Sequence, residues 1–306
     1  MKSSRLIGGI EGGGTKFNLI LAEVDEGHTN KIPKTLAAQQ IPTTTPAETL
    51  SKVIDFFQRQ ERFTLNSIGL ACFGPLNLDT TTTGYGQITK TSKPGWSGFD
   101  VLGELQQAIQ VPVYLDTDVN SAAIGEHLWG AGKSVSNLLY LTVGTGIGGG
   151  VLVDGKPLHG LTHPEMGHIN IPHDLERDPF PGDCPIHGNC LEGLASGSAI
   201  GARWQAAAET LPAGHPAWKL EAEYLGTALT NFILTLSPQR IILGGGVMKQ
   251  TFLHAMVREV VLKKLNGYIP HPAITEKIER YIMPPGLGDQ AGVLGAVGLA
   301  LVNVKE

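Results

Sequence analysis

At 306 residues the chain has room for one large or two medium domains with a true core, and its apolar share of 42% is that of an ordinary globular protein. A formal charge of −5 gives no basic footprint and argues against nucleic acid as a main partner. There is no apolar run of about 18 residues, so no membrane span is expected. Glycine stands out: 40 residues is about twice the usual share of roughly 7%. Without a collagen period or a low-complexity tract, these glycines belong in turns and close backbone approaches. Lys2 and Arg5 precede Glu11 and a glycine cluster that interrupts any signal-peptide core. Three cysteines, with Cys72 placed as a small core residue in the apolar run Ile68–Phe73, fit a reducing compartment, so a cytoplasmic location is expected.

In chain order, Arg5–Ile10 reads as a short strand, Glu11–Lys16 as a glycine turn and Phe17–Val24 as a second strand. Thr45-Pro46-Ala47-Glu48 is a capping box opening a helix to about Arg62, with Leu50, Val53, Ile54 and Phe57 at helical spacing. Ser67–Phe73 is a buried strand. Thr80–Gly98, rich in Thr, Gly and Lys, reads as an exposed loop or edge hairpin carrying Lys93 and Trp96. A helix near Asp100–Ile109 leads to the strand Val111–Leu115, and Asp116-Thr117-Asp118 opens a helix through Leu128. Asn137–Val143 and Val151–Val153 are strands around a glycine turn, Gly144–Gly150. Helices near Ser196–Glu209 and Pro216–Leu236, the strand Arg240–Leu243, a helix from Lys249 to Leu265 and the strand Lys277–Met283 follow. The last helix, Gln290–Leu301, carries Gly292, Gly295 and Gly298; each glycine costs about 0.5–1 kcal/mol there, which close packing on another backbone would offset. Strands alternating with helices argue an α/β fold.

Gly144-Thr145-Gly146-Ile147-Gly148-Gly149 matches G-x-G-x-x-G, but a strand-like Val-Leu-Val follows where a dinucleotide site needs a helix. Gly132-Lys133-Ser134 mimics the end of a P-loop, but His127 occupies the position of its first glycine; Gly130 or Gly132 is expected as a left-handed helix cap. A weak internal repeat carries more. Ile7–Val24 and Leu139–Val153 both read strand, glycine turn, strand, with Thr15 and Thr145 in the turns. Such turns expose backbone N–H groups that bind anions, and two facing each other could hold a chain of phosphates; both could equally be tight hairpins.

Residues 163–192 carry a metal signature. Cys184, His187 and Cys190 are spaced C-x2-H-x2-C, with His168 a short loop upstream. Two thiolates and two imidazoles suit tetrahedral zinc, and four protein ligands close its coordination sphere, so this zinc would be structural. A Cys184–Cys190 disulfide and incidental clustering are the alternatives. His163 and His173 are the substitutes if a ligand is misassigned. The Pro- and Asp-rich stretch from Pro172 to Asp183 has no helical or strand period and needs a staple.

Gly12-Gly-Gly-Thr-Lys16, Asp118-Val-Asn120, Gly144-Thr-Gly146-Ile-Gly148, Glu165-Met-Gly167-His168, Cys184…Cys190-Leu-Glu192 and Leu243-Gly-Gly-Gly-Val247, in this order from Gly9 to about Val297, resemble the ROK (repressor, ORF, kinase) sugar kinases. Within them the chain is most similar to the bacterial zinc-containing fructokinases: Glu11 stands where many members have aspartate, Thr117 precedes the aspartate of the Asp-Val-Asn step, and His187 replaces a cysteine. The resemblance implies a two-lobed actin- and hexokinase-like ATPase fold of duplicated ribonuclease H-like domains, with lobes at 1–117 plus 290–306 and at 118–289. It implies ATP with Mg²⁺ as cofactor, a hexose substrate, structural zinc and a homodimer.

The roles it implies are these. Gly13, Gly14, Thr15 and Lys16 of the first turn and Gly144, Thr145 and Gly146 of the second grip phosphates; Gly245 and Gly246 border the adenosine; Glu11 holds Mg²⁺. Asp118 is the general base, although by spacing alone Asp116 is an equal candidate and Asp118 could simply cap the helix that follows. Asn120, Glu165, His168 and Glu192 receive the sugar hydroxyls, His168 ligates zinc with Cys184, His187 and Cys190, and Lys93 or Trp96 could close the sugar wall. Mannokinase and glucokinase activities stay open. A sugar-sensing repressor is disfavoured because the first phosphate loop begins within about ten residues of Met1, and a catalytically dead sugar-binding module is the remaining rival.

Overall fold

The computed structural model describes residues 4–60, 64–91 and 93–304. β1 (Ser4–Gly12) and β2 (Lys16–Asp25) form an antiparallel hairpin around the first glycine turn, and β3 (Lys34–Pro42) pairs antiparallel with β2. α1 (Pro46–Gln58) starts where the capping box places it, with Thr45 Oγ1 accepting from the Glu48 N–H, and buries Leu50, Val53, Phe56 and Phe57. Its expected end at Arg62 lies outside the described residues. β4 (Ser67–Cys72), buried throughout, runs parallel to β1; α2 (Val101–Ile109) leads to β5 (Val113–Thr117), parallel to β4. The sheet order is β3-β2-β1-β4-β5.

α3 (Asp118–Trp129) leads to β6 (Leu138–Val143) and β7 (Ile147–Val153), an antiparallel hairpin around the second glycine turn, then to the two-residue β8 (Lys156–Pro157). Then come α4 (Leu191–Ala195), α5 (Gly197–Trp204), α6 (Ala217–Leu236) and β9 (Arg240–Gly244). α7 (Phe252–Leu265), α8 (Pro272–Thr275), α9 (Ile278–Tyr281), β10 (Ile282–Met283) and α10 (Ala291–Asn303) complete the order. The second sheet, β10-β9-β6-β7-β8, has the topology of the first: hairpin, third antiparallel strand, then two parallel strands on the other side. The repeat seen in the two hairpins extends over ten strands.

The helices after β5 and β10 change sides. α3 packs on the second sheet: a Cβ on Gly150 of β7 would lie 2.3 Å from the Val119 carbonyl oxygen. α10 packs on the first sheet: a Cβ on Gly69 of β4 would lie 1.7 Å from the Ala296 carbonyl oxygen. The two helices also press on each other, with Gly295 facing the Ser121 carbonyl where a Cβ would stand 1.9 Å away. Backbone-to-backbone contact thus offsets the cost of Gly295, whereas Gly292 makes room for the Glu11 carboxylate and Gly298 for the side chains of Leu128, Ile124 and Trp129.

Four expectations need correction. Trp96 is not exposed: it has no solvent-accessible surface, lies among Phe17, Phe73 and Phe99, and donates its indole N–H to the Thr44 carbonyl at 2.8 Å. The surrounding loop is polar because it covers this anchor. The Lys277–Met283 strand shrinks to β10, since one turn of α9 turns Glu279 and Arg280 outward and sends Tyr281 and Ile282 into the core. The Ser196–Glu209 helix stops at Trp204, with Gln205 left-handed at φ 52°. Neither Gly130 nor Gly132 is left-handed; Gly130 is small because the Glu126 carboxylate fills the space of its Cβ, and Glu126 accepts from the N–H groups of Ala131, Gly286 and Leu287 at 2.6–2.9 Å.

Candidate active site

The turn from β5 into α3 separates three jobs that its sequence left open. Asp116 is buried and committed: it accepts from the Thr117 N–H at 2.7 Å, from the Asn120 side-chain amide at 2.8 Å and pairs with His159 at 3.1 Å. Thr117 caps α3, its hydroxyl accepting from the Asn120 N–H at 3.1 Å. Asp118 is therefore neither the cap nor part of the buried network. Its carboxylate accepts from the neighbouring Val119 N–H at 2.9 Å and otherwise faces the cleft. Burial, with the charge of Glu11 next, pushes Asp118 up to about 7, against hydrogen bonds from backbone N–H groups; Glu165 adds a smaller push upward. Asn120 stands apart from the cleft wall: it is 1% exposed and its amide serves Asp116.

The first glycine turn is fixed by Gly13 N–H to Lys16 O at 2.9 Å and by Thr43, which donates from its N–H to Thr15 O at 2.9 Å and from its hydroxyl to Gly13 O at 2.7 Å. Lys16 and Glu11 line a cavity of about 490 Å³ with Gly244, Gly245, Lys249 and Asp289; Gly246 does not border it. Burial raises Glu11 above its usual range, while the Asn18 amide, donating to it at 2.7 Å, and Lys16 oppose the shift. Gly245 is left-handed at φ 97°, and a Cβ there would stand 2.4 Å from Val143 O, so glycine is needed on both counts. Thr142 borders both this cavity and the larger one of about 660 Å³ that holds Asp118, joining them into one cleft.

The second glycine turn, with Gly144, Thr145 and Gly146, lines the larger cavity. It is held from behind by the start of α5: Gly197 N–H donates to Gly144 O at 2.7 Å and the Ser198 hydroxyl to Thr145 O at 2.8 Å. Glu165, His168 and Glu192 line the same cavity as Asp118. Glu192 accepts from the Ile147 N–H at 2.9 Å, tying it to the end of that turn. Glu165 lies 3.5 Å from His163, whose other ring nitrogen accepts from the Leu76 N–H at 3.0 Å. Gly167 explains the glycine of Glu-Met-Gly-His: a Cβ would come within 1.9 Å of the Ile147 carbonyl, so the motif can press against β7. Lys93 and Trp96 do not line this wall, whereas Lys90 and Thr91 do.

His168, Cys184, His187 and Cys190 bring one donor atom each to within 4.8 Å of one another. The Nδ1–Sγ separations are 3.7 Å for His168–Cys184, 3.6 Å for His168–Cys190 and 3.8 Å for His187–Cys184. Bond lengths of about 2.3 and 2.0–2.1 Å to a tetrahedral zinc put sulfur and nitrogen about 3.5–3.6 Å apart, so the cluster fits that ion. The cysteines are free, and His173 bonds instead to the Asp178 carbonyl at 3.0 Å. The sequence missed the loop's other staple. Asp178, 4% exposed, receives Arg203 on both oxygens at 3.2 Å and the Tyr224 hydroxyl at 2.6 Å.

With this geometry in hand, residues 7–303 match the sequence profile of the ROK family. The chain belongs to the ROK family. It is 47% identical over 310 aligned residues to a fructokinase from Zymomonas mobilis, covering 98% of each chain. Its fold superimposes on a ROK hexokinase from Thermus thermophilus with a TM-score of 0.76, at 28% identity and 99% coverage of each. A ROK glucokinase from Streptomyces griseus, in complex with glucose and AMPPNP, has a TM-score of 0.70 at 22% identity, over 97% of this chain and 100% of its own. The α/β architecture of this ROK protein, two mixed sheets of one topology, is the actin-like ATPase fold of its structural neighbours. Among the described residues no helix is long and apolar enough to cross a membrane.

Proposed function

We propose that the chain is an ATP-dependent hexose kinase of the cytoplasm that converts D-fructose to fructose 6-phosphate. The observation that carries this reading is the meeting of Asp118, Glu165 and Glu192 with the second glycine turn in one cleft. The lobes of the working enzyme are 1–117 with 290–306, and 118–289. The exchange of α3 and α10 between the sheets supports that division.

Phosphoryl transfer depends on placement and charge neutralisation. The N–H groups of Gly13–Thr15 and Gly144–Gly146 cradle the phosphates of ATP from two sides, and Lys16 adds a point charge. Gly245, just past the end of β9, gives the nucleotide a backbone free of side chains, and Gly246 follows it outside the cavity lining. Asp118 takes the proton of the sugar's primary hydroxyl as that oxygen bonds to the γ-phosphorus and the bond to the β–γ bridging oxygen breaks, releasing ADP. Glu165 and Glu192 accept hydrogen bonds from the ring hydroxyls, while His168, whose Nδ1 faces the two cysteine sulfurs, donates its Nε2–H to a hydroxyl oxygen. Together they orient the attacking oxygen. Asn120 supports the wall indirectly, by holding Asp116 beneath the turn that carries Asp118.

Glu11, which lines the smaller cavity with Lys16 and Asp289, is the carboxylate that would hold a divalent cation there. Magnesium held there neutralises phosphate charge when bound. Zinc held by His168, Cys184, His187 and Cys190 would fix the loop that presents His168 and Glu192. A homodimer belongs to the same reading and is measured by light scattering.

The test is a coupled ADP-release assay with MgATP and fructose, mannose or glucose, with product identified by phosphorus NMR. Fructose should give the highest kcat/KM. Preference for mannose or glucose would move the substrate while keeping the chemistry, and no sugar-dependent ADP release would reduce the protein to a binding module.

A further inference from the structure

The loop from Thr89 to Gly98 has no role in the reading above, yet it reaches the first glycine turn. A Cβ on Gly14 would stand 3.0 Å from Lys93 Cε and 3.6 Å from its Nζ, so the lysine lays its charged end across the face of the turn that glycine leaves open. Among the described residues the Lys93 ammonium forms no ion pair.

Turn and lysine are fixed to one support. Thr43 bonds the turn through Thr15 O and Gly13 O, and the next residue, Thr44, accepts the indole N–H of Trp96 at 2.8 Å. Trp96 is fully buried, three residues from Lys93, and its backbone N–H donates to the Lys93 carbonyl at 3.2 Å. Lys90 and Thr91, on the near side of the same loop, line the cavity that holds Asp118. Lys93 thus lies against the first glycine turn, two residues along the loop from Thr91, which lines the cavity of Asp118, and among the described residues it has no ion-pair partner.

We propose that Lys93 is a catalytic residue that contacts the terminal phosphate of the nucleotide, opposite Lys16, and neutralises its charge during transfer. The proposal rests on the kinase reading. It explains why a buried tryptophan anchors an otherwise polar loop: the anchor aims a flexible side chain. A preorganised charge loses less freedom on meeting an anion than a freely rotating one.

The experiment compares wild type, Lys93→Met and Lys93→Arg by equilibrium binding of Mg-AMPPNP and of adenosine, and by steady-state kinetics. A charge-assisted contact to phosphate corresponds to a loss of about 10- to 100-fold. Lys93→Met should lose that factor in AMPPNP affinity and in kcat/KM for MgATP, with adenosine affinity and fructose KM within about twofold of wild type and Lys93→Arg partly restored. Equal AMPPNP affinity in wild type and Lys93→Met, or a defect confined to fructose KM, overturns the proposal. If wild type binds AMPPNP but phosphorylates no sugar, the kinase reading fails, while the AMPPNP comparison still decides Lys93.

Discussion

Replacing Arg203 by methionine tests whether the loop that carries Asp178 is held by more than the proposed zinc. The guanidinium meets both Asp178 oxygens at 3.2 Å, with the two side chains 7% and 5% exposed, donates to Leu194 O at 2.8 Å and lies 4.5 Å over the Phe180 ring. Methionine keeps much of the volume but strands the carboxylate with the Tyr224 hydroxyl and His173. Breaking one side of a buried pair costs about 3–5 kcal/mol. At an unfolding entropy of about 2.1 cal/mol/K per residue, a chain of 306 residues shifts by about 1.5 °C per kcal/mol, so a cooperative melt should fall by about 5–8 °C. Differential scanning calorimetry on zinc-loaded protein reads this directly. Adding Asp178→Asn should recover at least about 1 kcal/mol, because it removes the stranded charge. A melt within about 1 °C of wild type for Arg203→Met, or a double variant that loses the sum of both singles, would refute the reasoning.

Three further outcomes are expected. Asp118→Asn should lower kcat at least about 10²-fold with fructose and MgATP KM within a fewfold, and a near-normal rate removes it as the base. Because Asp118 is raised to about 7 and must be charged to accept a proton, kcat/KM should climb as pH rises towards 7 and level off above it. Glu11→Gln, by removing the charge next in importance to burial, should move that midpoint to lower pH; a midpoint that stays put contradicts the assignment. Chelation that leaves metal-free protein, confirmed by elemental analysis, should raise fructose KM more than it changes the KM for MgATP, and equal effects on both would separate the knuckle from the sugar wall.

The architecture was legible where backbone chemistry leaves a pattern. Two hairpins with glycine turns announced the duplicated sheets, and C-x2-H-x2-C announced a cluster whose donor atoms do converge. β3 left no trace in the hydrophobic pattern because it is a largely exposed strand in which only Ile41 is buried. Trp96 was misread because a polar neighbourhood hid its role as an anchor. The choice among Asp116, Thr117 and Asp118 could not be made from spacing; it is decided by which oxygen each neighbouring N–H reaches and by His159, which arrives from 43 residues away to engage Asp116. Likewise Asp178 and Arg203 are 25 residues apart, and nothing local marks them as partners.

The exchange of α3 and α10 bears on how the molecule is made as well as on how it works. The strands β1 to β5 leave the ribosome early, yet one face of their sheet is covered by α10, whose Val293 and Ala296 carbonyls meet Gly9 and Gly69. The half synthesised first is finished last. A nascent chain halted before residue 291 should therefore present a bare apolar surface to chaperones, and the two halves, expressed as separate polypeptides, should be soluble only when produced together.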